Sequence, residues 1–494
     1  MGTSKGNYVG GKWIKEKEAL EIFESISPID ESVLWQGEKA ANNTINLCVE
    51  VANEAQKNWM NMDFDTRSSY LRKYVQLVED NRDELARRIM IEVGKPQWEA
   101  NAEVNSVIGK LNPSIEAFKQ RNATIVRAQG QGKSVTRFRP HGVVGGVGPY
   151  NFPAHMPNGH IIPALLAGNT VIIKPSEKVP YTSEFIMEIW DKVGLPDGVI
   201  NMLQGDSAVG ERLCLSKGVH AILFTGSRNV GEHIDKLCAG EKICALEMGG
   251  NSPLIVWDTT NMDAAVLATI QSSFITSGQR CSSARRVIIP DNSFGEHFVT
   301  KLVKATQRIV VDRPDSVHQP FLGPMKDKKF VDILLQKQRE LVELGGEILV
   351  ECKRKENLGP AYVTPGIIDM TNAKREFDEE IIGPFIQLKR VRSFDEALDE
   401  ANNTKYGLAA GVFTEDEQLY KKFAQNIKAG LINWNQQLTG ASGWAPFGGI
   451  KASGNCRPSG YLATDYCVYS TASLEFEQIV MPDKLPCGII LGDD

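Results

Sequence analysis

From residue 141 onward, short apolar segments rich in Val and Ile alternate with segments of helical spacing, and this alternation restricts the fold most strongly. A strand, a helix and another strand form the unit that builds a parallel sheet with helices on both faces. The predicted strands are Val143–Val147, Thr170–Lys174, Val199–Leu203, His220–Phe224 and Ile243–Leu246. The predicted helices between them include Thr182–Val193 and Asn229–Leu237. We therefore expect a doubly wound α/β domain.

A second α/β stretch begins with the predicted strand Ser252–Trp257. Helical spacing marks Ala264–Phe274 and Phe394–Asn402 in this stretch, and residues 44–94 near the start of the chain. Within 44–94 we expect a second helix to begin near Asp65, whose carboxylate can cap the first backbone N–H groups. Because parallel sheets bind ligands beyond the carboxyl ends of their strands, functional residues are expected there.

Two segments lie outside this alternation of strands and helices. Ile125–Arg139 is predicted to be an exposed β-hairpin around the turn Gly130-Gln131-Gly132. Tyr466–Phe476 is predicted to be a further strand. Since unpaired strand edges favour pairing with another chain, we expect these segments to form a small β element used in oligomerisation.

Composition and charge exclude several function classes. The chain has 494 residues, a net charge of −6 and a pI of about 5.8, whereas nucleic-acid binders usually have a basic domain or stripe. No apolar run approaches the ~18 residues needed to span a membrane. The nine cysteines form no C-x-x-C pair, which favours free thiols and argues against structural zinc. We expect a cytoplasmic protein with no metal, no nucleic-acid partner and no membrane contact.

Two segments have residues suited to binding a nucleotide. Phe224 to Gly231 places two glycines between a strand and a helix, where backbone N–H groups can face a phosphate. This segment lacks the G-x-G-x-x-G fingerprint and is not a Walker loop, so an ordinary glycine turn is the alternative. Lys174-Pro-Ser-Glu177 directly follows a strand, where its charged groups could bind ribose hydroxyls or simply face solvent.

Three further segments have groups suited to nucleophilic chemistry. Cys281 follows an arginine, a setting that can lower the pKa of a thiol, and a buried structural cysteine is the alternative. Glu247 precedes Gly249 and Gly250, whose permissive backbone lets a carboxylate move, or it lies on the surface before a turn. Asn151 follows a strand, where its amide points into a cleft or bonds its own backbone.

In chain order, these segments resemble the motifs of the aldehyde dehydrogenase superfamily, and the resemblance covers nearly the whole chain. The matching segments are Gly148-Pro-Tyr-Asn-Phe-Pro153, Leu166-Ala-Gly-Asn169, Lys174-Pro-Ser-Glu177, Phe224-Thr-Gly-Ser227, Leu246-Glu-Met-Gly-Gly250, Gly278-Gln-Arg-Cys281, Glu380-Ile-Ile-Gly-Pro384 and Pro446-Phe-Gly-Gly449. This combination is very specific. The family also explains the absent fingerprint, because its cofactor domain binds NAD without G-x-G-x-x-G.

The resemblance implies an α/β fold of two doubly wound domains, one for the cofactor and one for catalysis, plus a small β oligomerisation element. The expected NAD-binding domain comprises 1–120 and 139–246, and the catalytic domain 247–445. The oligomerisation element comprises 121–138 and 460–482. The family further suggests a homo-oligomer, either a dimer or a tetramer.

The resemblance also implies the chemical roles of three residues. Cys281 is the expected nucleophile and Glu247 the general base. Asn151 is the expected donor to the oxyanion, together with the backbone N–H of Cys281. The reaction would be oxidation of an aldehyde to a carboxylic acid.

The implied cofactor is NAD. Lys174 and Glu177 would hold the adenine ribose, and Glu177 would repel the 2′-phosphate of NADP. Ser227 would hold the pyrophosphate and Glu380 the nicotinamide ribose. The family motif commonly has phenylalanine where this chain has Ile382. The full predicted set is Lys174, Ser176, Glu177, Phe224, Thr225, Gly226, Ser227, Arg228, Asn229, Val230, Gly231, Met248, Gly249, Glu380 and Ile382.

Further segments resemble one subfamily, which acts in arginine catabolism on a semialdehyde with two carboxylates remote from the aldehyde. They include Arg139-Pro-His-Gly142, Asn433-Trp-Asn435 and Ala463-Thr-Asp-Tyr-Cys467. Such a small-molecule substrate requires cations or anion-binding amides, and the planar guanidinium of arginine suits a carboxylate. Arg457 is the predicted substrate-binding residue, with Ser459 beside it, and a surface arginine is the alternative.

Other functions are compatible with these residues. The nearest is oxidation of another short anionic semialdehyde, such as succinate or glutamate semialdehyde. A cysteine esterase or acyltransferase would use Cys281 and Glu247 without a dinucleotide, so tight NAD binding would exclude it. A non-catalytic binding protein is disfavoured, because the predicted catalytic positions all hold chemically competent residues.

Overall fold

The computed structural model of the chain describes residues 2–16, 21–374 and 378–491. The first strands are β1 (Gly2–Thr3), β2 (Asn7–Val9), β3 (Lys12–Ile14), β4 (Ile22–Ile26) and β5 (Val33–Glu38). The helices that follow are α1 (Asn42–Trp59), α2 (Phe64–Asp80), α3 (Arg82–Val93), α4 (Gln97–Ile108) and α5 (Leu111–Arg121). Asp63 caps α2 by accepting a hydrogen bond from Thr66 N at 2.8 Å. The expected cap at Asp65 is therefore wrong, since Asp65 lies inside the first turn.

The next part of the chain builds the first of two seven-stranded sheets. Its elements are β6 (Ile125–Gln129), β7 (Gly132–Pro140), β8 (Val143–Val147), α6 (His155–Ala167), β9 (Thr170–Lys174), α7 (Pro180–Val193), β10 (Ile200–Met202), α8 (Ser207–Leu215), β11 (Ala221–Thr225), α9 (Arg228–Cys238) and β12 (Ile243–Glu247). The strand order is β12-β11-β8-β9-β10-β2-β3, parallel from β8 to β12 and antiparallel at β2 and β3. The strands and helices predicted here are confirmed to within two residues at each end.

The second seven-stranded sheet follows. Its elements are β13 (Ser252–Val256), α10 (Met262–Phe274), a 3-10 helix (Ile275–Gly278), β14 (Ala284–Pro290), α11 (Ser293–Thr306), α12 (Lys328–Glu343), β15 (Glu347–Val350), β16 (Gly366–Asp369), β17 (Phe385–Val391), α13 (Phe394–Asn402), β18 (Ala409–Phe413), α14 (Glu417–Asn426) and β19 (Leu431–Trp434). The strand order is β15-β16-β17-β14-β13-β18-β19, and β15 runs antiparallel to β16 while the other pairs are parallel.

The C-terminal part returns to the first half of the molecule. It contains β20 (Pro446–Phe447), β21 (Ser459–Gly460), β22 (Val468–Glu475) and the 3-10 helices Lys451–Ser453 and Asp465–Cys467. β22 pairs antiparallel with β7, which pairs with β6 in a three-stranded sheet. The predicted hairpin and C-terminal strand are thus confirmed, as is an α/β fold with two doubly wound sheets.

In the buried strands, the side chains of successive residues point to opposite faces of the sheet. Along β9, Val171 and Ile173 pack into one apolar cluster and Ile172 into another. All of β9 is buried, as expected where helices cover both faces of a parallel sheet. In β9 the two polar residues, Thr170 and Lys174, accordingly lie at the strand ends. In the described ranges, no helix is both long and apolar enough to cross a membrane.

Candidate active site

A cavity of about 1030 Å³ lies at the carboxyl ends of β8, β9, β11 and β12. The strand order changes direction between β8 and β11, and doubly wound sheets bind ligands at such a point. The predicted site residues that line this cavity are Asn151, Lys174, Ser176, Glu177, Phe224, Thr225, Gly226, Ser227, Asn229, Val230, Glu247, Met248, Gly249, Cys281, Glu380, Ile382 and Ser459. Segments far apart in the sequence thus meet at one place.

Three predicted residues do not line the cavity. Arg228 turns back along α9 and pairs with Glu232 at 2.6 Å. Gly231 packs within the fold, where an added Cβ would lie 2.5 Å from Met248 Sδ. Arg457 is exposed, and its Nη1 donates to Cys244 O at 3.2 Å. Cys244 lies near the amino end of β12, so the structure holds Arg457 away from the cavity at the opposite strand end.

A strained turn presents Cys281. The φ values of Thr276, Ser277 and Gly278 are 59°, 51° and 68°. Residues other than glycine rarely adopt this left-handed backbone conformation. At Gly278 an added Cβ would lie 1.9 Å from Gly383 O, so only glycine fits. The buried Glu99 of α4 stabilises the turn by accepting from Thr276 N at 3.2 Å. The turn directs the chain so that Cys281 faces the cavity.

Arg285 is a buried residue that the sequence analysis missed. Its Nη1 donates to Gly278 O at 2.5 Å and to Gly383 O at 3.1 Å. Its Nη2 donates to Arg280 O at 3.0 Å. The sequence does contain an indication that this arginine has a structural role, because two arginines interrupt the otherwise apolar strand β14. A charged side chain in a buried strand needs partners, and here those partners are the carbonyls around the nucleophile turn.

The Cys281 thiol is protonated at neutral pH. Burial raises its pKa to about 12, with further contributions from the negative charges of Glu380 and Glu247. The thiolate is the reactive form, so the thiol proton must leave before or during attack. The site therefore needs a proton acceptor.

Glu247 has the properties of that acceptor. It ends β12, where it is buried, and its Oε1 accepts from Ser459 N at 3.1 Å. Its Oε2 has no hydrogen-bond partner among the described residues. Burial raises the pKa of Glu247 to about 8, against the lowering effects of Ser459 and Lys110. A carboxyl with a pKa near neutrality is suited to general-base chemistry.

Asn151 links the turn after β8 to the nucleophile segment. Its Nδ2 donates to Gln279 O at 2.6 Å, two residues before Cys281. An amide nitrogen has two N–H groups, so one is held by this carbonyl and the other is available for a ligand. The bond fixes the orientation of the amide, as a preorganised oxyanion donor requires.

The other part of the cavity fits a dinucleotide. Ser227 is the N-cap of α9, and its side chain makes no capping hydrogen bond. The N-terminus of a helix with free N–H groups is an anion site suited to a pyrophosphate. Glu177 and Glu380 supply carboxylate acceptors for ribose hydroxyls. Lys174 is held by Gly205 O at 3.0 Å, which fixes its position at the end of β9.

Glu380 lies directly over the backbone after β12. A Cβ on Gly249 would lie 1.7 Å from Glu380 Oε2, so this approach requires glycine. Burial raises the pKa of Glu380 to about 6, while Arg285 and a backbone hydrogen bond from Gly250 oppose the shift. The carboxylate is thus mostly ionised at neutral pH.

The sequence analysis assigned no role to six basic residues that line the cavity, namely Lys110, His155, His160, Lys178, His233 and Arg280. Arg280 lies inside a recognised motif but received no role. Lys110 belongs to a helical region without a motif signal, and only the packing of α4, α5 and α6 brings it to the cavity. His155 lies in the segment 151–160, which also resembles the subfamily but gave no role to this histidine.

Known proteins match this chain over nearly its whole length. The chain matches the aldehyde dehydrogenase family over residues 13–472. The N-succinylglutamate 5-semialdehyde dehydrogenase of Legionella pneumophila (strain Corby) is 46% identical over 491 residues, covering 99% of this chain and 98% of that protein. The protein of the same name from Photorhabdus laumondii subsp. laumondii is 43% identical over 495 residues, covering 99% of each.

Solved structures share the fold. The aldehyde dehydrogenase KauB from Pseudomonas aeruginosa has a TM-score of 0.91 and 29% identity, covering 96% of this chain and 97% of that one. Lactaldehyde dehydrogenase from Escherichia coli has a TM-score of 0.91 and 26% identity, covering 96% of this chain and 100% of that one. Because sequence and fold both match over nearly the whole length, the chain belongs to the aldehyde dehydrogenase family.

Proposed function

We propose that the chain oxidises N-succinyl-L-glutamate 5-semialdehyde to N-succinyl-L-glutamate with NAD, as a step in arginine catabolism. The observation that supports the chemistry is that Cys281 and Glu247, with its free Oε2, line one cavity together with the N-terminus of α9. The choice of substrate is supported by relatives of that name, which are 43% and 46% identical over the full length.

Cys281 attacks the aldehyde carbon through its sulfur. The thiol proton passes by way of Glu247 to solvent, which frees the Glu247 carboxylate for a later step. The free N–H of Asn151 and the backbone N–H of Cys281 donate to the oxyanion that forms. These donors are positioned in advance, which makes them effective in a water-poor site. The bound cofactor would supply the acceptor for the hydride that oxidation of the aldehyde releases.

The second half of the reaction releases the acid. A thioester on Cys281 remains, and Glu247 deprotonates a water molecule that attacks it. The hydroxide adds to the carbonyl carbon, the C–S bond breaks, and the carboxylic acid leaves. Because only one oxygen of Glu247 is occupied, by Ser459 N, the other can take this proton.

Binding of the cofactor uses residues on both sides of the cavity. Lys174 and Glu177 would hold the adenine ribose, and Ser227 would hold the pyrophosphate. Glu380 would hold the nicotinamide ribose, with Ile382 available to pack against the cofactor. Glu177 favours NAD over NADP, because its charge repels a 2′-phosphate.

A direct assay tests the proposal. Purified protein with NAD is mixed with N-succinylglutamate semialdehyde, succinate semialdehyde or glutamate semialdehyde, and NADH absorbance is followed. We expect the highest kcat/KM for the succinylated compound and no turnover with Cys281→Ala. A preference for an unsuccinylated semialdehyde would overturn the substrate, and turnover in Cys281→Ala would overturn the mechanism.

The proposal includes a homo-oligomer, a dimer or tetramer, assembled through 121–138 and 460–482. Exposed apolar side chains on β6 and β22 support it, with Val126 at 58% and Leu474 at 64% exposure.

The NAD-binding domain is then 1–120 with 139–246, and the catalytic domain is 247–445. All nine cysteines are free thiols, which supports a cytoplasmic location. Light scattering tests the proposed homo-oligomer. The Leu474→Asp variant is expected to form a smaller species than the wild type.

A further inference from the structure

Lys110 is an unusual lysine in the wall of the active-site cavity. It lies between α4 and α5 and is only 7% exposed. A Cβ added to Gly159 of α6 would lie 3.7 Å from Lys110 Cε and 3.8 Å from Nζ. The lysine stem thus packs against α6, and its ammonium group faces the cavity.

The other long cations that line this cavity have partners. Lys174 donates to Gly205 O, Lys178 lies 3.2 Å from Asp327, and Arg280 lies 2.9 Å from Glu99. For Lys110 Nζ, the described part of the chain provides no hydrogen bond and no ion pair within 4.0 Å. Because Lys110 lines the cavity and its side chain has no acidic partner among the described residues there, an anion that enters the cavity can pair with its ammonium group.

Glu247 is not that partner. It is the carboxyl that acts on Lys110 electrostatically, yet the two form no ion pair. The Oε1 atom of Glu247 is held by Ser459 N, and Oε2 must stay free to take a proton from water. Burial lowers the pKa of Lys110 to about 8, with Glu247 opposing the shift, so most of the lysine is charged at neutral pH.

His155 supplies a second unpartnered group in the same wall. Its Nδ1 is buried and has no hydrogen-bond partner among the described residues. Burial lowers the pKa of His155 to about 3, with smaller effects from Lys110, Lys95 and Arg280, while a backbone hydrogen bond with Ser106 opposes the shift. The imidazole is therefore neutral and has a single N–H, and in the tautomer that places this N–H on Nδ1 it adds a donor to the cavity wall without adding charge. A cationic donor beside a neutral donor suits the two oxygens of a carboxylate.

The geometry points to Lys110, together with His155, as the site that binds a carboxylate of the substrate remote from the aldehyde. This assignment rests on the proposed function, since it requires an anionic aldehyde as substrate. It gives the specificity role to Lys110, whereas the sequence placed that role on Arg457, whose guanidinium lies outside the cavity.

Lys110→Met tests the assignment by removing the charge while keeping the stem. We expect KM for N-succinylglutamate semialdehyde to rise about 10- to 100-fold, the range for losing a hydrogen bond to a charged group. For a neutral aldehyde such as pentanal, KM should change less than about 3-fold, the size of a minor contact. Because Lys110 also lowers the pKa of Glu247, any change in kcat is expected with both aldehydes. Lys110→Arg should retain part of the preference for the anion. Lys119→Met, on the exposed face of α5, is the matched control.

A binding measurement separates recognition from turnover. In a Cys281→Ala background, calorimetric titration with the product N-succinylglutamate should detect binding that Lys110→Met abolishes. An equal rise in KM for the anionic and the neutral aldehyde, or unchanged product binding, would overturn the assignment. Should Lys110→Met fail to fold, Lys110→Gln is judged by the same criteria. If the wild type prefers succinate semialdehyde, the proposed substrate fails, and the role of Lys110 is judged with that anion against pentanal.

Discussion

Arg285 Nη2 lies 3.8 Å from Glu380 Oε1, while Nη1 of the same arginine donates to Gly278 O at 2.5 Å. One buried side chain therefore connects the turn that presents the nucleophile to the carboxylate at the cofactor end of the cavity. The turn, Arg285 and Glu380 all belong to the half of the site that is built on the second sheet, and Arg285 favours the charged form of Glu380 by opposing the effect of its burial.

Replacing Arg285 by methionine should impair both folding and cofactor binding. The substitution leaves three carbonyls and Glu380 without their cation, and breaking such a buried network costs about 3–5 kcal/mol. Chemical denaturation measures the loss, and fluorescence titration with NAD measures the weaker binding. Arg392→Met, at an exposed position, is the control. An unfolding free energy within about 0.5 kcal/mol of the wild type would contradict this role, since that is the scale of ordinary surface substitutions.

Gly249→Ala should displace Glu380 without touching the nucleophile. A methyl group at this position would lie 1.7 Å from Glu380 Oε2, so the carboxylate must move. We expect KM for NAD to rise about tenfold or more, as when a charged hydrogen bond is lost, with a smaller change in KM for the aldehyde. Glu380→Gln should give a similar pattern. Steady-state kinetics with each substrate varied in turn would reveal the difference, and a normal KM for NAD would rule out this contact.

The sequence predicted the sheets well because their strands are buried on both faces. Segments such as Thr170–Lys174 are apolar throughout, so composition and length mark them clearly. The cap of α2 was misplaced because Asp63 and Asp65 are both of a residue type that caps helices, and only the extended backbone of Asp63, with ψ of 156°, distinguishes the actual cap.

Site residues were predictable where they lie in motifs at strand ends. Cys281 and Glu247 are of this kind. Lys110 was not predictable, because a lysine at a helix junction usually faces solvent and only the packing of α6 against it makes it part of the cavity. The direction of Arg457 was likewise set by tertiary structure, through its bond to Cys244 O.

The hydrolytic step should depend on pH through Glu247. Since burial raises the pKa of Glu247 to about 8, the fraction in the basic form increases as the pH rises from 6 to 9. Thioester hydrolysis should therefore accelerate over this range and level off above it. Single-turnover kinetics with preformed thioester measure the step directly. Glu247→Gln should remove the pH-dependent limb, and a profile that Glu247→Gln leaves unchanged would assign the base elsewhere.

Glu247 should also lower the stability of the folded protein at alkaline pH. Its folded pKa of about 8 exceeds the ordinary 4.5, so the folded state binds the proton more tightly than the unfolded state. Its contribution to stability is thus full below pH 4.5 and is lost progressively until about pH 8. Glu247→Gln should be more stable than the wild type by an amount that grows across this window and is constant above it. Urea denaturation at several pH values tests this, with exposed Glu50→Gln showing no such trend.

Asn151→Ala should slow the chemistry while leaving substrate affinity nearly intact. Loss of one oxyanion donor typically reduces kcat by about 10²- to 10³-fold, because the contact strengthens only as charge develops. The bond from Asn151 to Gln279 O is also lost, so a small decrease in melting temperature is expected. Asn101→Ala on the exposed face of α4 controls for loss of an amide elsewhere. Initial rates with saturating NAD separate kcat from KM. A purely KM effect would show that Asn151 holds the ground-state aldehyde and does not stabilise the transition state.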